Sequence, residues 1–393
     1  MSYNGDNFYR DIDARWFGSN VGKGGDDSGA INAALAAAAS LGGRVRLSGP
    51  GPYHANVTMP NTTSLIGDMT TVLRPATYGD PTITMGSFCT VQGLDIIHSG
   101  SAGIYVGSAG SIVSSIDISN CKFETNLNGI LFGGQGAIGG RVVNSTFSAC
   151  NNGILSPDGL FILNNFLFDH CQFLAPQNVE NTYQVSLGGD SVCQSSSIKF
   201  HHCLFNGDAR QRLGRALRFG VAPVSRIGTV HMDTCQFVDW GDPSDPTPQL
   251  EVITNLPRVI KFSSCRIGNN AGNIVSCESG GCPRFVHVDS CDMHAKQTGC
   301  LPFVGVSEAE GFVFTASRVG WEDPNPLLEM DFGDALVSWI GCQPLGGTSN
   351  QLWASTKSPG PHLPKQLRGR TRTTILNLVK TPQTSTRPLP PRS

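Results

Sequence analysis

Nine copies of one short pattern run through the 393-residue chain, and they leave few folds open to it. Each copy reads apolar-x-apolar-x-x-Cys-x-apolar. Six are complete: Ile116-Ile118-Cys121-Phe123, Phe166-Phe168-Cys171-Phe173, Ile198-Phe200-Cys203-Phe205, Val230-Met232-Cys235-Phe237, Ile260-Phe262-Cys265-Ile267 and Val286-Val288-Cys291-Met293. Phe312, Phe314, Ser317 and Val319 keep the pattern with serine at the cysteine place, and Val142-Ser145-Phe147 and Val337-Trp339-Cys342 are weaker copies. Successive Cys-equivalent positions from Cys121 to Cys342 lie 24 to 32 residues apart. A period of this size marks a chain built from stacked, similar units.

The pattern has a direct physical reading. Apolar residues at i and i+2 project from the same side of a strand. The step of three to the cysteine breaks that alternation and marks a bend, after which a second inward-facing strand begins. Asn120, Asn144 and His170 sit at the bend, and asparagine tolerates the left-handed backbone that a sharp corner needs. The small Cys and Ser side chains are expected to stack inside that corner at the strand spacing of ~4.8 Å.

A third strand per coil is legible in Asn128-Gly129-Ile130 and Asn152-Gly153-Ile154, which lie 24 residues apart. Leu217-Arg218-Phe219, Leu250-Glu251-Val252 and Leu328-Glu329-Met330 read as later copies, which puts Arg218 and Glu251 on neighbouring coils of one face. Three strands per coil predict an all-β, right-handed parallel β-helix, an elongated prism of ~45 Å or more. One helix is expected ahead of the coils. Asp27 can cap Ser28 to Leu41, an alanine-rich run that Gly42-Gly43 ends. Such a helix would cover the open apolar end of the stack.

Composition narrows the function classes. No run approaches eighteen apolar residues, so a membrane partner is not expected. The polar stretch Met1 to Asp13 lacks the basic start and apolar core of a secretory signal. Synthesis in a cytoplasm is the expectation, with the 13 cysteines made as thiols. No C-x-x-C pair supports a zinc site, and buried thiols are the expected state. Residues 355–393 hold Lys357, Lys365, Arg368, Arg370, Arg372, Lys380, Arg387 and Arg392 with no acid, so the remaining body carries about −10. The expected division is an N-terminal peptide 1–13, an opening segment with its helix 14–75, coils 76–354, and a basic, Pro-rich tail 355–393.

Residues near the N-terminus carry a resemblance. Arg15-Trp16-Phe17-Gly18, Asp26-Asp27-Ser28-Gly29-Ala30-Ile31-Asn32-Ala33-Ala34-Leu35, Gly42-Gly43-Arg44-Val45-Arg46-Leu47, Gly51-Pro52-Tyr53 and Ser64-Leu65-Ile66-Gly67 resemble the opening segment of the pectate-lyase-like superfamily. Phage tailspikes, polysaccharide lyases and related glycoside hydrolases share that segment. The resemblance covers about residues 14 to 75 and, through the coil repeats, extends to about 345. It is architectural: the segment carries no catalytic group, and Asp26 and Asp27 read as helix caps. The resemblance implies a polysaccharide as ligand and a homotrimer as assembly. Together with cytoplasmic synthesis it favours a phage virion protein, a tailspike, fibre or decoration component serving structure or host-surface polysaccharide adhesion. The alternative is a glycoside hydrolase or lyase acting on the same glycan.

An enzyme of this kind would need paired carboxylates for hydrolysis, or a base beside a cation for elimination. Candidates are expected in loops after the third strand of a coil. Asp239 and Asp242, with Glu251 on the next strand, are the catalytic candidates. Trp240 and Trp321 suit stacking on a sugar ring, with Arg218 as a further carbohydrate contact. Asp-Pro turns and a surface Arg–Glu pair account for the same residues without catalysis. His201 and His202 are assigned to turn or packing duty at a coil corner, so neither a metal nor an organic cofactor is expected. The basic tail is a candidate dock for other virion proteins or sister chains; it lacks the interleaved aromatics of a nucleic-acid module.

Overall fold

The computed structural model describes residues 11–49, 51–107, 111–156, 162–174, 183–187, 197–207, 215–219, 228–238, 250–252, 259–270, 275–277, 284–295, 303–304, 311–321, 330–331, 336–340, 342–345 and 354–355. It is a right-handed parallel β-helix with three strands per coil.

The first strand of each coil carries the paired apolar residues. Ile112–Ser119, Gly136–Val143, Ile162–Asp169, Ser197–His201, Thr229–Asp233, Val259–Ser263, Phe285–Asp289, Gly311–Thr315 and Leu336–Ile340 follow one another in parallel register. The second strand follows the corner, from Lys122–Glu124 through Gln172–Leu174 and Gln236–Val238 to Gln343–Leu345. The third forms its own sheet, running from Val57–Met59 through Asn128–Phe132, Tyr183–Leu187 and Leu250–Val252 to Phe303–Val304. Glu251 pairs with Arg218 in that sheet, so the expected placement on adjacent coils holds.

The corner between first and second strands explains the sequence pattern. Asn120, Asn144, His170, His202, Thr234, Ser264, Ser290 and Ala316 all adopt left-handed backbone, with φ between 46° and 55°. That twist turns the chain without breaking the ladder. Each of these residues still donates its N–H to the next coil, as His170 does to His201 O at 2.9 Å and His202 to Asp233 O at 3.0 Å. The cysteine that follows points inward and is buried at every place from Cys121 to Cys291. Its thiol donates to nearby carbonyls: Cys203 Sγ lies 3.4 Å from both His201 O and Phe168 O, and Cys235 Sγ lies 3.4 Å from Phe200 O. Ser145 and Ser317 do the same, at 3.0 Å from Val143 O and 2.8 Å from Thr315 O. A corner exposes inward carbonyls that water cannot reach, and a short side chain with one polar hydrogen meets that need. Cys89, Cys121, Cys150, Cys171, Cys203, Cys235, Cys265, Cys291 and Cys342 are free thiols.

A second stack was not read from sequence. Between second and third strands, Thr125 and Ala149 are also left-handed, and Ser99, Asn126 and Cys150 are buried beside them. Asn126 holds the coil before it, accepting from Ser99 N at 2.8 Å and donating to Ile96 O at 2.9 Å.

The core is one continuous hydrophobic column along the axis. The Asn-Gly-Ile repeat belongs to its third wall. Asn152 donates to Asn128 Oδ1 at 3.0 Å, and Asn128 donates to Ser101 O at 3.1 Å. Gly129 is required there: a Cβ would come 2.5 Å from Gly153 O and 2.6 Å from Phe147.

The expected helix forms at Ser28–Leu41, buries Ile31, Ala34, Leu35 and Ala38, and packs against Arg44–Arg46 and Val57–Met59. Gly42 ends it in left-handed conformation, with its N–H on Ala38 O. Its first turn corrects the sequence reading. Asp27 makes no side-chain cap; the Asp26 carboxylate accepts from Ser28 N at 2.8 Å. Asp27 is buried and instead accepts from Asn20 N at 2.7 Å and His54 N at 3.3 Å, fastening the opening segment to the first coils. Of the tail expected from residue 355, only Ser355 is described, in a short strand Ala354–Ser355 beside Met330–Asp331.

Candidate functional site

Register turns single outward residues into columns, and these columns are what the solvent-facing walls offer a ligand. On the first wall one column runs Asp117, Arg141, Leu167, Lys199, His231, Lys261, His287. Its upper end is closed by an ion pair, Arg141 Nη2 to Asp117 Oδ2 at 2.5 Å. Below Leu167 four basic residues stand on consecutive coils. Lys199 and Lys261 make no salt bridge among the described residues, and two coil spacings of ~4.8 Å keep their ammonium groups apart. Between them, His231 is pushed below the ordinary histidine range, first by burial and then by Lys261. It is therefore a neutral ring at neutral pH, with Nε2 3.2 Å from Ser263 Oγ.

The neighbouring column, two residues on, runs Asp169, His201, Asp233, Ser263, Asp289. It leads into the corner, where His170 and His202 project. An open hollow of ≈ 340 Å³ lies outside this corner, lined by Asn144, Thr146, His170, Gln172, His202 and Leu204. The second wall continues as the uncharged column Thr146, Gln172, Leu204, Gln236. A basic stripe, a shallow hollow and a flat neutral surface thus adjoin one another.

The residues singled out from sequence fall elsewhere. Asp239, Trp240 and Asp242 lie outside the described residues. The segment they open follows Gln236–Val238, a second strand, and precedes the third strand Leu250–Val252; the expectation that it follows a third strand is corrected. Trp321 ends the second strand Arg318–Trp321, its backbone paired with Ala295, and does not sit in a loop. For Glu251 and Trp321 only the backbone is described. Arg218 stands on the third wall with its guanidinium 5.0 Å from the centre of the Tyr183 ring on the preceding coil, a cation–π contact. The structure thus brings Arg218 and Glu251 to adjacent rungs of one sheet, a wall apart from the basic stripe. The stripe was invisible in sequence because Lys199, His231, Lys261 and His287 are separated by whole coils.

Fold and walls together define a right-handed parallel β-helix of the elongated, open-walled kind. Among solved structures, the chain resembles the catalytic unit of a thermostable GH87 α-1,3-glucanase from Streptomyces thermodiastaticus, with TM-score 0.62 and 16% identity over 86% of this chain and 69% of that one. It resembles the ORF18 protein of Geobacillus virus E2, with TM-score 0.53 and 16% identity over 79% of this chain and 61% of that one. It also resembles a tailspike from the Acinetobacter baumannii bacteriophage Fri1, itself a capsular polysaccharide depolymerase, with TM-score 0.51 and 16% identity over 90% of this chain and 65% of that one. At such identities the likeness is one of fold. No protein-family model and no curated relative matches the sequence. Among the described residues no helix is long and apolar enough to cross a membrane.

Proposed function

We propose that the chain is a phage virion β-helix protein, a tailspike, fibre or decoration component, that lays its first wall against an anionic host-surface polysaccharide. The observation that carries this reading is the in-register column Lys199, His231, Lys261, His287. Two lysines two coils apart, with the hydrogen-bonding histidines His231 and His287 in the same column of a stiff, flat sheet, suit an extended polymer with repeated negative charge. The adjoining Thr146, Gln172 and Gln236 supply neutral hydrogen-bonding groups of the sort that hydroxyls take. The tailspike and viral fold neighbours support the setting. Trimeric assembly through the half-buried Leu131 and Leu155 of the third wall, and docking through the basic tail, belong to the same proposal.

The polysaccharide-degrading alternative draws on Arg218 and Glu251, a cation and a carboxylate on adjacent rungs. One experiment tests both. Purified protein is incubated with capsular and lipopolysaccharide preparations, and binding is measured beside the release of new reducing ends or unsaturated uronate. Binding without products, weakened by salt and by the paired change Lys199→Glu and Lys261→Glu, is the expected result. Products that vanish in Glu251→Gln or Asp242→Asn would replace adhesion with catalysis. Binding unchanged in the doubly reversed variant would remove the first wall as the glycan surface.

A further inference from the structure

Two dipeptides, Asp169-His170 and His201-His202, are 32 residues apart in sequence and adjacent in space. Asp169 Oδ1 lies 2.7 Å from His170 Nδ1 and 2.9 Å from His201 Nδ1. His202 Nδ1 lies 3.2 Å from His201 Nδ1. One ligand atom from each of the four residues falls within 4.8 Å of every other. Four ligands held 2.0–2.1 Å from a tetrahedral zinc stand ~3.4 Å apart, so the three direct contacts are already near that spacing.

We propose that Asp169, His170, His201 and His202 form a site for a borderline transition-metal cation, zinc above all, that staples two successive coils together at their outer corner. This goes against the expectation from sequence of turn duty alone, and it does not depend on the glycan reading.

Three observations support it. First, the corner does not select histidine. The places of His170 and His202 are filled on other coils by Asn120, Asn144, Thr234, Ser264, Ser290 and Ala316 with the same left-handed backbone. Second, the imidazoles are crowded together at the corner. The rings of His201 and His202 lie 3.9 Å apart and those of His170 and His202 4.6 Å. One dication placed among them would accept the ring-nitrogen and carboxylate lone pairs that converge there. Third, a supporting shell exists. With Nδ1 turned to the cluster, His201 presents Nε2 to Asp233 Oδ2 at 3.7 Å, the carboxylate–histidine–metal order that orients a ligating imidazole. Imidazole with one carboxylate suits zinc, nickel and copper better than calcium or magnesium.

The test uses the full chain, metal-stripped, titrated with zinc chloride by calorimetry and with cobalt(II) chloride by visible absorption. The key variant is His170→Asn with His202→Asn, because Asn120 and Asn144 show that asparagine fits the corner. The expected results are a single zinc per chain, the intense bands of tetrahedral cobalt, and a thermal midpoint raised by zinc. In the double variant affinity falls by about 100-fold or more, while circular dichroism and the metal-free midpoint stay those of the parent. Asp233→Asn weakens zinc about 10-fold without removing the cobalt bands. Equal zinc affinity in parent and double variant, or only the pale spectrum of octahedral cobalt in the parent, would overturn the proposal.

Discussion

Phe147 stacks on Phe173 of the next coil, with ring centroids 4.9 Å apart and planes 8° from parallel. The relation continues in both directions: Phe123 on Phe147 at 4.7 Å, Phe173 on Phe205 at 4.8 Å, Phe205 on Phe237 at 4.6 Å. Five rings thus run along the axis at the strand spacing. Replacing the middle ring, Phe173→Ala, should destabilise the chain by about 3–5 kcal/mol, and Phe173→Leu by less. Denaturant unfolding measures the loss. Hydrogen exchange should show it concentrated between residues 147 and 205, because each coil touches only its neighbours.

The corner thiols should be replaceable by hydroxyl but not by methyl. Cys203 gives its hydrogen to inward carbonyls, as Ser145 and Ser317 do elsewhere in the stack. Cys203→Ser is expected to stay within about 1 kcal/mol of the parent, and Cys203→Val to cost about 1–3 kcal/mol by leaving a buried carbonyl unmet. Equal stability of the two variants would show that packing alone decides this place.

The same burial gives a dependence on alkali. Burial pushes the Cys121 and Cys150 thiols up to about 12, from 9.0 in the open chain. A group whose folded pKa is raised stabilises fully below its unfolded pKa, and that contribution is lost as pH climbs through the folded value. Thermal midpoints should therefore fall progressively from about pH 9 to pH 12. Replacing both cysteines by serine should flatten that part of the curve.

Gly129→Ala should be the most damaging of the conservative glycine changes on the third wall. A methyl there meets the Gly153 carbonyl, which is backbone and cannot step aside, as well as the Phe147 ring. About 1–3 kcal/mol or more is expected, read as a lowered unfolding midpoint and a looser Asn128–Asn152 ladder in hydrogen exchange. A midpoint equal to the parent's would mean the coils are not so closely stacked.

The fold was legible because its corners are chemically marked. The phase of Cys and Ser against the paired apolar residues is repeated from coil to coil, and an apolar residue stands two places later, phenylalanine on five successive coils. The third strand was legible at Asn128–Phe132 and Asn152–Leu155, where Asn-Gly-Ile recurs at one coil length. It was missed at Ala102–Val106, Val275–Cys277 and Phe303–Val304, short strands without that signature. The Ser99–Asn126–Cys150 stack was missed because three different residue types do the same work. The candidate sites were harder still. Columns such as Lys199–His231–Lys261 exist only once register is known. The histidine cluster could have been found by aligning Cys171 with Cys203, which sets Asp169 against His201 and His170 against His202. Tryptophans near acids drew attention instead, and Trp321 proved to be a strand residue.

The central claim is that successive coils pile up in register around one axis, and the sulfur atoms report on it most directly. A crystal of the protein, with data collected at a wavelength where sulfur scatters anomalously, locates each thiol without reference to the chain trace. The account predicts a straight row of peaks for Cys171, Cys203, Cys235, Cys265 and Cys291, each about 4.8 Å from the next. Peaks scattered through the molecule, or merged in pairs at the ~2.05 Å of a disulfide, would contradict it.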